Sequence, residues 1–557
     1  MCIRDSANLC GRALNCYPCR MLGRRLRQRA GGAAAGLGAL LCVSGAWIAT
    51  PTAGATPAPL APEPAVKAAA RTIGVLSRML PIVVGGGGSA YVPQPNIVFV
   101  LTDDLSWDLV PYMPNVQRLR RRGTTFSNYF VTDSLCCPSR ASILTGRYPH
   151  NTGIFRNTGL DGGFRAFYAL GHERATYATA LDGAGYRTAL MGKYLNQYSP
   201  GRVRTALGGP YVPPGWSDWV VTGDGYPGFG YQITRRFPSR LRVVRHGFRP
   251  RDYLTNVLTR RGLEHVDAAV AEDVPFMLNL WTFTPHLPAT PAPRDAHRFG
   301  SLTAPRGPAF DEADMGDKPA WLREHRPLGP ARIARIDETF RQRVRSVQAI
   351  DRMIGRLLDR LRAAGVARDT YVVFSSDNGF HLGQHRLTPG KLTAYDSDVR
   401  VPLIVAGPGV PAGRVVDAMT ENVDLCPTFA ELGGAATPPD ADGRSLVPFL
   451  RGETVRDWRD AVLIEHRGNV SAPGDPDLPA AGSGNPPTYE ALRTRDALYV
   501  EYADGQRELY DLAADPFELE NLAQRAPVDR LARLGSALSA LRACRGADSC
   551  WQAAQLD

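Results

Sequence analysis

Short, mainly apolar runs of residues recur along the chain, and polar residues follow several of them. The runs cover residues 96–101, 187–191, 276–281, 371–374 and 402–405. Continuous apolar runs of this length are typical of strands that are covered on both faces of a sheet. Residues 175–183 suit a helix, and residues 343–364 place apolar side chains at helical spacing. The pattern predicts strands that alternate with helices.

Strands that alternate with helices indicate an α/β fold. We expect a large, doubly wound, mixed but mostly parallel sheet with helices on both of its faces. Such sheets bind their ligands beyond the carboxyl ends of the strands. Polar groups that are far apart in the sequence are therefore expected to converge on one rim of the sheet.

The pattern changes after residue 450. Residues 461–465, 497–502 and 508–512 have the pattern of short strands, and a loose stretch rich in Gly and Pro covers residues 471–487. Residues 527–541 have the pattern of a helix. We expect a smaller carboxyl-terminal antiparallel-sheet subdomain with a closing helix.

Composition and pattern together divide the chain into four parts. Residues 1–55 form an upstream segment with an export signal, and residues 56–91 form a linker rich in Ala, Pro and Gly. Residues 92–455 form the catalytic domain, and residues 456–557 form the carboxyl-terminal α+β subdomain. No later stretch has the roughly 18 apolar residues of a transmembrane helix.

The export signal is predicted from three consecutive features. Residues 21–27 are basic, Ala33–Ala49 is small and apolar, and residues 53–55 offer an Ala-Gly-Ala cleavage site. Residues 1–20 fit no part of such a signal, which favours a translation start at Met21. The protein is therefore expected to be secreted or periplasmic. In that oxidising compartment Cys544 and Cys550, which flank a short polar loop, are expected to form a disulfide bond.

The net charge of +11 suggests a polyanion-binding protein at first. Residues 1–55, however, hold seven Arg and one Asp, which account for +6 and leave +5 for the rest of the chain. That excess suits an anionic substrate and is too small to argue for nucleic acid.

The stretch Cys136-Cys137-Pro138-Ser139-Arg140 has the features of an oxyanion site. Pro138 suits the first turn of a helix, which places Cys136 at the helix N-terminus. Free backbone N–H groups at such a terminus favour bound anions, and Arg140 adds a fixed positive charge. For an isolated Cys-Cys pair, a buried thiol pair or half of a disulfide bond would be the simpler interpretation.

Acidic and amide side chains follow two of the predicted strands. Asp103 and Asp104 end the first apolar run, and Asp377 and Asn378 follow the run at 371–374. Each pair alone is more typical of a turn or a helix cap. Four hard oxygen ligands on neighbouring strands would suit Ca²⁺, or alternatively Mg²⁺.

At this point the sequence resembles the type I sulfatase family. The family signature, Cys-x-Pro-Ser-Arg followed by Thr-Gly-Arg, is met by Cys136, Pro138, Ser139, Arg140 and residues 145–147. The resemblance covers Asn96 to Leu522, and its motifs are nearest to the N-acetylglucosamine-6-sulfatase branch. It implies an alkaline-phosphatase-like fold. It also implies that a formylglycine-generating enzyme oxidises Cys136, rather than Cys137, to formylglycine.

The resemblance also implies roles for individual residues. The metal ligands are Asp103, Asp104, Asp377, Asn378 and the modified Cys136. Lys193 and Lys391 hold the sulfate group together with Arg140, and His286 contacts the substrate and its leaving group.

One position departs from the family. Many relatives carry a histidine two residues after the first lysine, where this chain has Leu195. Asn196 or another histidine is expected to take over that role, and His381 and His385 lie close enough in sequence to the metal pair to reach the rim.

The resemblance implies a hydrolase of sulfate monoesters in which the hydrated aldehyde attacks sulfur with help from the metal. We expect a sulfated sugar such as N-acetylglucosamine 6-sulfate as the substrate. A phosphonate monoester or phosphodiester hydrolase and an arylsulfatase are alternatives. A sulfated-glycan binding protein with an unmodified Cys136 is an alternative from another class.

Overall fold

The computed structural model describes residues 94–237, 240–470 and 472–556, without the side chains of residues 204–206. The predicted export signal and linker lie outside these residues. The strands are β1 Asn96–Thr102, β2 Thr124–Phe126, β3 Tyr129–Phe130, β4 Arg187–Lys193, β5 Asp218–Thr222, β6 Gln232–Phe237, β7 Arg240–Arg245, β8 Phe276–Trp281, β9 Thr370–Ser376, β10 Leu403–Ala406, β11 Arg414–Val416, β12 Thr420–Glu421, β13 Ala461–His466, β14 Tyr489–Thr494, β15 Ala497–Tyr502 and β16 Arg507–Asp511.

Ten of these strands form one large sheet in the order β11-β2-β10-β9-β1-β8-β4-β5-β6-β7. The central strands β9, β1, β8, β4 and β5 are parallel neighbours. Strand β10 pairs antiparallel to β9, and the β6–β7 hairpin extends the other side with antiparallel pairs. The sheet is therefore mixed and mostly parallel, as the apolar runs predicted.

Helices pack on both faces of this sheet, and the last two helices of the chain pack in the core of the smaller subdomain. They are α1 Pro114–Arg122, α2 Cys136–Thr145, α3 Pro149–Thr152, α4 Gly163–Ala169, α5 Tyr177–Gly183, α6 Pro200–Leu207, α7 Leu254–Ala271, α8 Ala320–Arg323, α9 Pro330–Ala363, α10 Asp396–Val399, α11 Leu425–Leu432, α12 Val447–Leu450, α13 Val528–Ala543 and α14 Ala547–Ala553. Strand β1 shows the two layers. Its Phe99 packs in one core with residues of α2 and α11, and its Val98 packs in another with residues of α7 and α9.

The β6–β7 hairpin was not predicted from the sequence. Its two strands mix arginine with apolar and other polar side chains, and β7 is largely exposed at the edge of the sheet. The criterion of unbroken apolar runs finds only strands that are covered on both faces, so it misses an exposed edge strand.

A second, antiparallel sheet follows in the order β13-β14-β15-β16. Leu538 and Leu541 of α13 pack against Leu463 of β13 and Tyr499 of β15. Cys544 and Cys550 form the expected disulfide bond. The small sheet with its closing helix is confirmed, while the exact division of the chain at residue 455 stays a prediction. Among the described residues, no helix is both long and apolar enough to cross a membrane.

Candidate active site

Cys136 is the first residue of α2, and that helix is buried along its whole length. Gly146 ends the helix with a φ of 74°, a left-handed conformation that glycine adopts without strain. The Cys136 Sγ atom lies 3.1 Å from Asp103 Oδ1 and 3.7 Å from Asn378 Oδ1. Polar groups from three separate segments therefore meet at the start of one helix.

Cys137, the neighbouring cysteine, has a different environment. Its side chain belongs to the hydrophobic core beneath α2. Burial raises the pKa of Cys137 to about 12, so its thiol stays protonated at neutral pH. The two adjacent cysteines therefore have different surroundings: Cys137 is in the apolar core, whereas Cys136 faces the polar cluster.

The acidic residues meet because their strands are hydrogen-bonded neighbours. Strands β1 and β9 pair with Thr102 opposite Ser376, so the residues that follow them emerge side by side. The Asp377 amide donates to the Thr102 carbonyl at 3.1 Å, and the Asp104 amide donates to Asp377 Oδ1 at 3.1 Å. Parallel pairing at the carboxyl rim therefore brings together residues more than 270 positions apart.

This cluster fits a hard divalent cation. One ligand atom from each of Asp103, Asp104, Asp377 and Cys136 lies within 4.8 Å of all the others, and all four residues are buried. Asn378 joins them, since its amide donates to Asp104 Oδ1 at 2.8 Å. Carboxylate and amide oxygens are the donors that Ca²⁺ and Mg²⁺ prefer.

Three buried cations surround the carboxylates. Lys193 Nζ lies 2.7 Å from Asp103 Oδ2, and Lys391 Nζ lies 2.6 Å from Asp104 Oδ1. Arg140 donates from Nε to Asp377 Oδ2 at 2.8 Å, while its buried Nη2 atom lies 3.6 Å from Asp103 Oδ1 and makes no hydrogen bond. A buried donor without an acceptor is costly, so this atom is suited to an anionic ligand.

The charges shift the acidities of the carboxylates in opposite directions. Burial acts to raise the pKa of Asp103, but Lys193 and His286 outweigh it and hold that pKa well below the usual range. Burial raises the pKa of Asp377 to about 6, although Arg140 partly offsets the effect. Asp103 is therefore ionised at neutral pH without any further cation.

His286 follows β8 and reaches the same cluster. Its Nδ1 atom donates to the Leu287 carbonyl at 2.6 Å, which leaves Nε2 to face the site. Nε2 lies 3.8 Å from Asp104 Oδ2. Burial acts to lower the pKa of His286, but Asp104 and the other nearby carboxylates outweigh it and raise that pKa.

The sequence matches the profile of the Sulfatase family over residues 95–435. The chain belongs to the sulfatase family. The N-acetylglucosamine-6-sulfatase of Homo sapiens is 33% identical over 500 residues, which cover 84% of this chain and 89% of that protein. This chain is therefore a sulfuric ester hydrolase.

Two further comparisons agree with the family. The extracellular sulfatase SULF-1 homolog of Drosophila melanogaster is 35% identical over 391 residues, 68% of this chain and 34% of that protein. A structure solved with its substrate D-glucosamine-2-N,6-O-disulfate superimposes with a TM-score of 0.62 at 24% identity, over 80% of this chain and 97% of that one. That structural match supports the alkaline-phosphatase-like sulfatase fold.

Asp477 is a residue of this sulfatase that sequence reasoning missed. Its Oδ1 atom lies 2.7 Å from His286 Nε2 and 2.7 Å from Lys391 Nζ. It belongs to the Gly- and Pro-rich stretch between β13 and β14, which has no periodic pattern. Its two partners are far away in the sequence, so no local signal marks it.

Arg343 and Tyr226 were also missed. Arg343 is fully buried in α9, donates to the Asp104 carbonyl and lies 4.0 Å from the Phe380 ring centre. An arginine on the apolar side of a predicted helix was a signal that could have revealed it. The Tyr226 ring lies 5.0 Å from Lys193 Nζ and 4.6 Å from the His286 ring, in a loop with no such signal.

The other three predicted site residues, Asn196, His381 and His385, differ in their hydrogen-bond partners. Both side-chain amide atoms of Asn196 are buried without a hydrogen-bond partner among the described residues. The ring nitrogens of His381 instead bond to Asp398 and to the Ser483 carbonyl, and Nδ1 of His385 lies 2.6 Å from Glu312. The structure therefore places these two histidines in protein contacts rather than in the cluster around Cys136.

Proposed function

We propose that this sulfatase removes a sulfate group from a sulfated amino sugar, with N-acetylglucosamine 6-sulfate as the leading substrate. The observation that carries the proposal is the cluster around Cys136 Sγ, with Asp103 at 3.1 Å and Lys391 Nζ at 3.0 Å. The name of the human relative, N-acetylglucosamine-6-sulfatase, supports the choice of sugar.

The nucleophile in this proposal is derived from Cys136. A formylglycine-generating enzyme would convert the thiol to an aldehyde, whose hydrate supplies a hydroxyl oxygen for attack on sulfur. In the unmodified chain, burial raises the pKa of Cys136 well above that of a free thiol, and Asp103 adds to the effect. A protonated thiol is a weak nucleophile, so the site suits the modified residue better.

Asp103, Asp104, Asp377, Asn378 and the modified Cys136 would hold the divalent cation, with Ca²⁺ favoured over Mg²⁺. A cation held by these residues would supply Lewis-acid chemistry toward the reacting oxygens. Arg140 keeps Asp377 oriented, and Lys193 keeps Asp103 oriented, through the ion pairs described above.

Arg140, Lys193 and Lys391 are proposed to hold the sulfate group. All three side chains are buried, so their charges act in a medium of low dielectric constant. Their positions are fixed by ion pairs before any ligand enters. Preorganised cations of this kind stabilise charge without the cost of reorienting solvent.

His286 and Lys391 are the proposed proton donors to the departing alcohol. Both face the site with a nitrogen atom, Nε2 in His286 and Nζ in Lys391. Burial acts to lower the pKa of Lys391, but Asp104 and Asp477 raise it, which keeps the ammonium protonated. Lys391 therefore carries a proton at neutral pH that it can give to an oxygen leaving group, and the raised pKa of His286 favours its protonated form.

Asn196 is proposed to bind a sugar hydroxyl or amide. Its buried carboxamide offers two donors and an acceptor, and neither atom has a partner among the described residues. The protein is also proposed to act outside the cytoplasm, in keeping with the basic and apolar segments before residue 56 and the extracellular relative in Drosophila melanogaster.

A substrate panel tests the proposal. Purified protein should release inorganic sulfate from N-acetylglucosamine 6-sulfate, and Cys136→Ala should release none. Aryl sulfate and aryl phosphonate with the same leaving group provide the comparison. Faster hydrolysis of the phosphonate would replace the proposal with a phosphonate hydrolase.

The mass of the tryptic peptide that contains Cys136 completes the test. The proposal expects an aldehyde in place of the thiol. An unmodified cysteine in protein from the native host, together with no turnover of any ester, would instead indicate a sulfated-glycan binding protein.

A further inference from the structure

The segment of residues 472–485, between β13 and β14, lies over the candidate active site. Its Pro476, Asp477 and Leu478 line a cavity of about 90 Å³ that is also lined by His286 and Lys391. Pockets that enclose sugars and other small molecules usually measure about 300–1,000 Å³. A sulfated sugar therefore does not fit beside these residues while the segment keeps this position.

The carboxylate of Asp477 takes the place of an anionic ligand. Its Oδ1 atom lies 2.7 Å from both His286 Nε2 and Lys391 Nζ, and its Oδ2 atom accepts a hydrogen bond from Asn157 at 2.6 Å. A sulfuryl oxygen would accept from the same nitrogen atoms at similar distances. A sulfate group that binds Lys391 must therefore compete with Asp477.

We propose that Asp477 is an internal anion that competes with the sulfate group of the substrate, and that residues 472–485 are a lid which the substrate displaces. The inference rests on the proposed function, because it assigns His286 and Lys391 to the sulfate ester. It adds Asp477 as a residue that determines the affinity for sulfate. Asp477 lies in a connection of the carboxyl-terminal sheet and not of the large sheet.

The attachment of the lid is mostly polar. Asn157 holds it through Asp475 at 3.1 Å and Asp477 at 2.6 Å, and the Thr388 amide donates to the Gly482 carbonyl at 2.8 Å. Gly474 and Gly482 lie within the lid and have φ angles of 78° and 85°, in the left-handed region. A segment with few buried apolar contacts opens at low cost in free energy.

Competition of this kind lowers the apparent affinity for every anion. For a ligand that binds only the open form, the apparent dissociation constant is the intrinsic constant divided by the fraction of protein that is open. Closure of the lid weakens the binding of inorganic sulfate, the product, by the same factor as the binding of the substrate. The product is therefore released more readily. The lid thus selects ligands whose sugar part adds enough contacts to keep it open.

A fixed positioning role for Asp477 is the opposing interpretation. In that case Asp477 would hold His286 and Lys391 in their reactive orientation during turnover. Removing its charge would then reduce kcat/KM and would not strengthen the binding of sulfate.

Asp477→Asn separates the two interpretations. We expect the dissociation constant of inorganic sulfate, measured by calorimetry, to fall at least about fivefold, and kcat/KM for the sulfate ester to rise at least about threefold. Asp504→Asn, which removes one exposed carboxylate in the turn between β15 and β16, is the matched control and should leave the sulfate dissociation constant unchanged. A weaker sulfate complex or a lower kcat/KM in Asp477→Asn would overturn the proposal.

A measurement on the unaltered protein covers the case in which Asp477→Asn folds poorly. Saturating inorganic sulfate should increase amide hydrogen exchange in residues 472–485, which is opposite to the protection that a ligand usually gives. Unchanged or slower exchange there would contradict a displaced lid. Failure of the proposed function is recognised separately, because the unaltered protein would then not hydrolyse any sulfate ester.

Discussion

The Nζ atom of Lys391 lies 3.0 Å from the Sγ atom of Cys136, although the two residues are 255 positions apart in the sequence. Burial acts to lower the pKa of Lys391, but Asp104 and Asp477 outweigh it, so the ammonium stays protonated. The contact places a proton donor directly beside the sulfur atom that the nucleophilic oxygen of the modified residue would replace. It also makes Lys391 a candidate for two roles, binding the sulfate group and protonating the leaving oxygen.

A series of leaving groups distinguishes these roles. We expect Lys391→Ala to reduce kcat by about 10²–10⁴-fold for an alkyl sulfate, whose alkoxide needs a proton, and by much less for a nitrophenyl sulfate. His286→Ala, measured on the same esters, identifies which of the two residues gives the proton. Equal losses for all esters in both variants would mean that neither residue is the general acid.

The two adjacent cysteines should respond differently to mutation. Cys136→Ala should reduce turnover by at least about 10³-fold, since it removes the precursor of the nucleophile. Cys137→Ala removes a buried sulfur from the core and should cost on the order of 1 kcal/mol of unfolding free energy while most of the turnover remains. Initial rates with an aryl sulfate and chemical denaturation measure both effects. Equal loss of turnover in the two variants would show that the assignment of the nucleophile to Cys136 is wrong.

Removing the divalent cation should affect stability as well as activity. A chelator should lower the Tm and abolish turnover, and Ca²⁺ or Mg²⁺ should restore both, because a ligand that binds only the folded protein stabilises it. Asp377→Ala should lose most of the metal-dependent rise in Tm. Asp417→Ala, an exposed aspartate that pairs with Arg495, is the control and should keep that rise. A metal-free preparation with unchanged Tm and turnover would show that the assigned ligands hold no essential cation.

The buried carboxyl group of Glu173, which lies outside the candidate active site, should make the free energy of unfolding depend on pH. Burial raises its pKa from 4.5 to about 7, even though the hydroxyls of Tyr194 and Tyr211 donate to it. Between pH 4.5 and about 7 the folded protein keeps this proton and the unfolded chain does not, so the free energy of unfolding falls as the pH rises.

Glu173→Gln removes that titration. At pH 8 we expect its free energy of unfolding to exceed that of the parent protein by at most about 3 kcal/mol, and the difference should shrink as the pH approaches 4.5. Urea unfolding at several pH values measures it. A difference that is the same at every pH would rule out a buried, protonated Glu173.

The sequence determined the parts of this protein that depend on local pattern. Apolar runs marked the central strands, because a strand covered on both faces excludes polar side chains along its length. The polar residues directly after two of these runs, Asp103 and Asp377, were predicted to meet, since parallel neighbours end at one rim. The helix that begins at Cys136 followed from Pro138 and Gly146. The family resemblance added the modification of Cys136, which no pattern of polarity reveals.

Only the tertiary structure decided which distant loops complete the site. Asp477 is in a stretch without periodicity, and its contact with His286 joins residues 191 positions apart. His381 had a favourable position in the sequence, yet Asp398 and the Ser483 carbonyl hold its ring. The physical reason is that periodic patterns report whether a side chain is buried, whereas its partner depends on how whole layers pack. For that reason the sequence predicted the large sheet and its rim, but not the lid that the small sheet carries.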